Sequence, residues 1–115
     1  MSDTQFFPDV IRELPEFEHN FKGLESHVLQ CEGKQIIFMS FEEETIIPEH
    51  SHEAQWAVVL DGRIELTVEG ELHIYMRGDT YYLPAGIKHS AVIRKGYKDV
   101  TLFNQSDRYK VKVKD

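Results

Sequence analysis

The feature that most constrains the fold is a series of short apolar stretches separated by turns. From Ser26 onward these stretches recur at intervals of about eight to twelve residues. No helix-length periodicity interrupts them, and this spacing is typical of a sandwich or barrel. The pattern predicts an all-β domain with about eight strands. They are expected at residues 26–31, 35–41, 55–60, 63–68, 71–76, 79–83, 89–94 and 98–104.

One turn signal stands out among the glycine-containing turns. Asp61-Gly62 separates two apolar stretches, and Asp-Gly is a strong signal for a two-residue hairpin turn, in which both positions need positive φ. We therefore predict that the strands at 55–60 and 63–68 pair directly.

The stretch WAVVL, residues 56–60, has apolar side chains on both faces of its strand. Trp56, Val58 and Leu60 lie on one face, and Ala57 and Val59 lie on the other. Both faces must therefore be covered, the outer one by a second sheet or a second subunit. This pattern predicts a homodimer.

The N-terminal segment differs from the rest of the chain. We expect residues 1–25 to form an arm and residues 26–115 to form a single barrel domain. Within the arm, Asp9 is predicted to cap a short helix that ends before Pro15, with an extended arm as the alternative.

Composition excludes several classes of partner. The chain has 115 residues and a formal net charge of −7, which argues against nucleic acid or anionic lipid as a main partner. A single cysteine, Cys31, cannot form an internal disulfide. The N-terminus lacks the pattern of a signal peptide, and no apolar stretch approaches the roughly 20 residues of a membrane span. We therefore expect a cytoplasmic protein that does not associate with membranes.

Histidines in two distant segments are the candidate metal ligands. His50 and His52 share a face if their segment is extended, and His89 stands at the first position of a later strand. Because strand-start residues of neighbouring strands can converge on one barrel mouth, these imidazoles are expected to meet. The remaining histidines lie in polar or edge contexts and are expected to be solvent-exposed: His19, His27 and His73.

Around these histidines the sequence resembles the cupin family. The first cupin motif is matched by His50, His52, Gln55 and Gly62. The second is matched at full spacing by Gly78, Pro84, Gly86 and His89. The resemblance implies a jelly-roll β-barrel, also called a double-stranded β-helix. It also implies a metal site at His50, His52, Gln55 and His89.

The match to the first motif departs from the family pattern at the fourth ligand. Gln55 replaces the usual glutamate, and the spacer after His52 is shorter than usual. On an unbroken strand this spacing would turn Gln55 away from His52 and put Trp56 inside. A bulge or turn at Glu53-Ala54 would return Gln55 to the lumen. A bound water is the alternative fourth ligand.

The resemblance implies one divalent transition metal per chain, Fe, Ni, Zn, Cu or Mn, and oxygenase, isomerase or lyase chemistry. Because three imidazoles and an amide carry no charge, the site favours an anionic, carboxylate-bearing small molecule. An iron triad of two histidines and a carboxylate would require Glu53 to turn inward. The candidate general bases are Tyr75, Tyr81, Tyr82 and Glu53.

Two other functions are compatible with the same residues. One is a non-catalytic module that binds a small molecule, and the other is a scaffold that the metal stabilises. A titratable group in the lumen besides the ligands would favour an enzyme. Ala57, Val59, Ala91 and Ile93 share strand parity with the ligands, which predicts a mostly apolar lumen.

Overall fold

The computed structural model describes residues 5–113, in which one short helix, α1 (Asp9–Arg12), precedes nine strands. The strands are β1 (Leu24–Cys31), β2 (Lys34–Phe41), β3 (Thr45–His50), β4 (Gln55–Asp61), β5 (Arg63–Val68), β6 (Glu71–Met76), β7 (Thr80–Leu83), β8 (His89–Ile93) and β9 (Lys98–Phe103). They form two antiparallel sheets, in the orders β1-β2-β9-β4-β7 and β3-β8-β5-β6. Buried side chains from both sheets share one core, so the predicted all-β jelly roll is confirmed.

β3 is a strand that the sequence pattern did not predict. Its β-branched residues Thr45 and Ile47 pair in regular register with β8, and the register shifts between Ile47 and His50. Pro48 is tolerated because β3 lies at the edge of its sheet. The shifted register brings His50 directly opposite His89.

The predicted hairpin at Asp61-Gly62 is wrong, because β4 and β5 lie in different sheets. Gly62 has a φ of 76° where the chain crosses from one sheet to the other, whereas Asp61 is not among the positive-φ residues of the described chain. A Cβ at Gly62 would lie 2.6 Å from the Cα of Tyr97. Glycine is therefore required by close backbone approach as well as by φ. A two-residue turn with two positive φ values joins β5 to β6 instead, at Glu69-Gly70.

The N-terminal segment packs against the barrel. The N-cap of α1 is Pro8, and Asp9 is the first helical residue, so the predicted Asp9 cap is wrong. Phe7 is buried against the ring of His27, whose Nδ1 lies 3.2 Å from the Leu14 carbonyl oxygen. His27 is only 4% exposed, contrary to the expectation that it is solvent-exposed.

Within residues 5–113 no helix is long and apolar enough to cross a bilayer.

The N-terminal and C-terminal segments meet at one end of the barrel. Phe17 and Val111 form an antiparallel bridge, and the Glu18 amide donates to the Lys110 carbonyl at 2.8 Å. The fully buried ring of Phe17 stacks on Tyr109 with centroids 4.0 Å apart. Although the arm and barrel were predicted as separate regions, the arm contributes directly to the wall of the central cavity.

The outer face of β4 remains apolar and partly open. Trp56 is exposed there, next to its exposed cross-strand partner Tyr82, whereas Val58 and Leu60 are half-buried. The opposite face of β4 is buried in the core. The homodimer that this outer face suggests stays a prediction.

Candidate metal centre

The structure brings three histidines from two segments into one cluster. His50 ends β3, His52 follows in the next loop, and His89 begins β8. One ring nitrogen from each lies within 4.8 Å of the others. The ring centroid of His89 is 4.3 Å from that of His50 and 4.7 Å from that of His52. This spacing allows all three to bind one ion.

Backbone carbonyls determine which nitrogen of each ring is free to bind. The Nδ1 atoms of His50, His52 and His89 lie 2.9, 2.7 and 3.0 Å from the carbonyl oxygens of Pro48, Glu53 and Ile87, respectively. A carbonyl only accepts, so each neutral ring carries its proton on Nδ1 and has its lone pair on Nε2. The Nε2 of His50 accepts a long contact from Arg108 Nη2 at 3.5 Å, which a bound metal would replace. Metal-binding histidines usually donate their other ring N–H to a carbonyl or carboxylate in this way. Three imidazole nitrogens are a donor set that fits a transition metal.

Burial keeps two of these rings neutral. Desolvation lowers the pKa of His52 to about 4, against a smaller opposing effect of its hydrogen bond to Glu53. Desolvation also lowers the pKa of His89. At neutral pH both Nε2 atoms are therefore unprotonated, as metal binding requires.

Gln55 faces the same interior. It is the first residue of β4, is 8% exposed, and lines the cavity with the histidines. Residues 51–54 form a loop, so the inward and outward alternation of side chains begins at Gln55 and does not continue from His52. Gln55 is therefore buried, and Trp56 points outward. Glu53 is exposed and lies outside the histidine cluster, so the structure does not support the alternative with an inward Glu53 carboxylate. Gln55 as fourth ligand stays a prediction.

We expect Gln55→Ala to weaken metal retention by about 10- to 100-fold, because the variant loses an amide oxygen in or next to the coordination shell. Competition with a chelator of known affinity measures the change. The half-buried Gln105→Ala is unsuitable as a control because the Gln105 Oε1 accepts a hydrogen bond from the Glu53 amide at 3.1 Å. Gln5→Ala, in the exposed arm, is the better match. Equal retention in the wild type and Gln55→Ala would indicate that water is the fourth ligand.

A cavity of about 190 Å³ extends from the histidines into the barrel. At about 30 Å³ per water it has room for about six waters, so it suits a small ligand. Most of its wall is apolar, with Leu66 and Leu83 among the lining residues. Of the four residues predicted from strand parity, Ala91 and Ile93 line the cavity, whereas Ala57 and Val59 are buried in the core outside it. Five polar or charged side chains besides the predicted ligands also line it: Tyr81, Tyr97, Asp99, Arg108 and Tyr109.

Most of these additional residues were missed from the sequence. Of the candidate bases, Tyr81 lines the cavity, Tyr82 and Glu53 are exposed, and Tyr75 stacks on Tyr81 from outside it. Alternation in β9 was a usable signal for Asp99, because Asp99 shares its inward face with Thr101 and Phe103. No local pattern marked Arg108, which lies beyond the last strand.

Arg108 places a positive charge beside the histidines. Its guanidinium carbon lies 4.4 Å from the ring centroid of Tyr109 and 5.6 Å from that of Phe103, and its Nη2 lies 3.5 Å from His50 Nε2. Its buried Nε has no hydrogen-bond partner among the described residues. The Tyr109 amide is held by the buried Gln35 side chain at 3.1 Å. The guanidinium is thus held by cation–π contacts with the two rings and by the long contact in which Nη2 donates to His50 Nε2, and its other donors remain available for an anion.

Comparisons with known proteins agree with this architecture. The family model described as Cupin domain matches residues 37–104. Quercetin 2,3-dioxygenase from Bacillus subtilis (strain 168) is 36% identical over 58 residues. The match covers 49% of this chain and only 17% of that enzyme.

Solved structures share the fold at low sequence identity. An RmlC-like cupin from Shewanella frigidimarina NCIMB 400 superposes with a TM-score of 0.69 and 23% identity, covering 84% of this chain and 87% of that one. Bacillus subtilis oxalate decarboxylase, studied for its Mn(II) centres, gives 0.64 and 22%, covering 76% of this chain and 27% of that one. The family model spans more than half of the 115 residues, and the two motif segments meet at one cavity. The chain therefore belongs to the cupin family.

Proposed function

We propose that this cupin is a metal-dependent enzyme that acts on a small, oxygen-rich, carboxylate-bearing metabolite. His50, His52 and His89 would hold one divalent transition metal through Nε2, with Gln55 as fourth ligand. When bound, the metal would supply Lewis-acid polarisation of a coordinated oxygen and lower the pKa of a bound water. The observation that carries the proposal is the convergence of three Nδ1-anchored imidazoles on a cavity that also contains a guanidinium.

The electrostatics of the site support an anionic ligand. The four proposed ligands are uncharged when neutral, so the charge of a divalent ion would be uncompensated by its ligands. Arg108 adds a second positive charge 3.5 Å from His50 Nε2. A carboxylate that reaches both would be held by charge-assisted hydrogen bonds as well as by coordination.

The contents of the lumen favour an enzyme over a binding module. An apolar wall alone would support simple binding, and most of the lining is apolar. However, Asp99 and Tyr81 place titratable groups in the same cavity, and a binding module does not require them. The reaction types that remain compatible are those of oxygenases, isomerases and lyases. The dioxygenase relative and the manganese-containing decarboxylase are examples of such chemistry in related proteins.

The test begins with metal analysis of protein purified without an affinity tag. We expect a bound transition metal, and we expect Co²⁺-loaded protein to change its visible spectrum on titration with malonate. Arg108→Ala should weaken malonate binding by about 10- to 100-fold, because one charge-assisted contact is lost. The exposed Arg77→Ala serves as the matched control and should bind as the wild type does.

Two outcomes would contradict the proposal in different ways. A wild-type protein that contains no transition metal and cannot be loaded with one has no metal-dependent activity. A protein that loads Co²⁺ but shows no spectral response to malonate, with a lower melting temperature on chelation, would instead support the scaffold function.

A further inference from the structure

Three buried side chains form a hydrogen-bonded chain in the lumen. The Tyr97 hydroxyl donates to Asp99 Oδ2 at 2.6 Å, and the hydroxyl oxygens of Tyr81 and Tyr97 are 3.3 Å apart. All three side chains line the cavity. Metal and anion binding as proposed above require none of them.

The environment of Asp99 is unfavourable for a carboxylate that serves only the fold. Asp99 is 1% exposed, and within residues 5–113 no basic side chain forms an ion pair with it. Its Oδ1 and the nearby Thr101 hydroxyl both lack a hydrogen-bond partner of good geometry. The groups that face it are Tyr81, Tyr97, Thr101 and Tyr109, with apolar Met39 and Val59 beside it on β2 and β4. Burying a carboxyl in this way costs stability, which favours a functional reason for it.

The hydrogen bonds can run in two directions, and the protonation of Asp99 decides which. When Asp99 is ionised, Tyr97 donates to it and Tyr81 donates to Tyr97, so Tyr81 presents a lone pair to the cavity. When Asp99 is protonated on Oδ2, the order reverses and the Tyr81 proton is free to point into the cavity. Tyr81 can therefore accept or donate according to the state of a carboxyl two hydrogen bonds away.

Tyr81 lines the same cavity as the three histidines and Gln55. Tyr81 pairs with Ala57, which lies two residues after Gln55 on β4. The strand rise places Ala57 about 7 Å from Gln55 along the strand. Building on the function proposed above, we propose that Tyr81 contacts the metal-site ligand and that Asp99 stores the proton which this ligand gives up or takes. Tyr97 is the positioning residue that joins the two.

The transfer balances without another reactant. When the ligand loses a proton, its O–H or C–H bond breaks and the electron pair stays on the ligand. The proton passes to the Tyr81 oxygen, the Tyr81 proton to Tyr97, and the Tyr97 proton to Asp99 Oδ2. Asp99 ends as a neutral carboxylic acid, and the reverse sequence returns the proton. Burial raises the pKa of Asp99 to about 7, so both forms are accessible near neutral pH.

Acetohydroxamic acid is a suitable probe, because it loses its O–H proton when that oxygen binds a metal. Calorimetric titration of Zn²⁺-loaded protein, in two buffers of different ionisation enthalpy, counts the protons released to solvent. At about pH 8 Asp99 is largely ionised in the free protein, so a stored proton requires that the negative charge of the bound hydroxamate raise the Asp99 pKa above the pH of the experiment. We therefore expect the wild type to release clearly less than one proton and Asp99→Asn to release about one, because the variant has no carboxyl to take the proton. Tyr81→Phe keeps the carboxyl but removes the contact with the probe, so its release should rise toward that of Asp99→Asn. The exposed Asp9→Asn is the matched control and should release as few protons as the wild type.

Equal proton release in the wild type, Asp99→Asn and Tyr81→Phe would overturn the proton-storage role while leaving the proposed function intact. Failure of the loaded wild type to bind the hydroxamate would overturn the proposed function, and the storage role with it. Circular dichroism establishes that each variant is folded, and Tyr81→Phe tests the proposal independently if Asp99→Asn does not fold.

Discussion

We expect His89→Ala to lower the affinity for a transition metal by more than about 100-fold, because even partners outside the coordination shell contribute about 10- to 100-fold. His89 is the central ring of the cluster, with centroids 4.3 and 4.7 Å from those of His50 and His52. It is also the most buried of the three, so few alternative positions exist for a replacement ligand. Its loss leaves two imidazoles and, if Gln55 binds, one amide.

Metal content after dialysis and thermal melting with and without a chelator check this expectation. A metal at about 1,000 times its Kd stabilises the folded state by about 4 kcal/mol, so chelation should lower the Tm of the wild type but not of His89→Ala. His73→Ala is the matched control, because His73 lies on β6 beside Glu71 and outside the cluster. A stoichiometric metal content in His89→Ala would show that the three-histidine site is wrong.

The second large effect concerns the buried Asp99. Desolvation raises its pKa from 3.8 to about 7, against a smaller opposing effect of the hydrogen bond from Tyr97. Between these two values the folded state binds the proton more tightly than the unfolded state, so stability is highest at low pH and falls as the pH rises through about 7. At 1.36 kcal/mol per pKa unit, the loss is about 4 kcal/mol.

Asp99→Asn removes this dependence. We expect the free energy of unfolding of the wild type, relative to Asp99→Asn, to fall by about 4 kcal/mol from pH 4 to pH 8. Urea denaturation of metal-free protein at several pH values measures the difference, and contributions from the histidines cancel because both proteins contain them. The neighbouring tyrosines do not titrate in this range, since burial raises the pKa of Tyr81, Tyr97 and Tyr109. A pH-independent difference between the two proteins would show that Asp99 is not held as a buried acid.

Local alternation predicted the inward side chains well wherever a strand was recognised. Ala57 and Val59 are buried and Trp56 points outward, as expected once the loop at residues 51–54 resets the parity before Gln55. The same rule applied to β9 would have placed Asp99 inside. These assignments need only the two-residue repeat of a strand, which is a property of the local chain.

Pairing between strands was less predictable. The Asp61-Gly62 signal suggested a hairpin, but Gly62 occupies a crossing between sheets, where Tyr97 backbone comes too close for any side chain. β3 was hidden by Pro48, which is tolerated only because this strand is at a sheet edge. Both outcomes depend on residues far away in sequence.

The sequence by itself therefore determined the β class, the faces of the recognised strands, and the two family motifs that contain His50, His52 and His89. Only the tertiary structure decided that Arg108 and Asp99 share the cavity with those histidines, and that the arm residue Phe17 supports its wall. The physical reason is the distance along the chain over which each effect acts. Side-chain alternation and turn residues act within a few positions, whereas the desolvation of a carboxyl and the packing of a guanidinium on aromatic rings depend on which distant segments pack together.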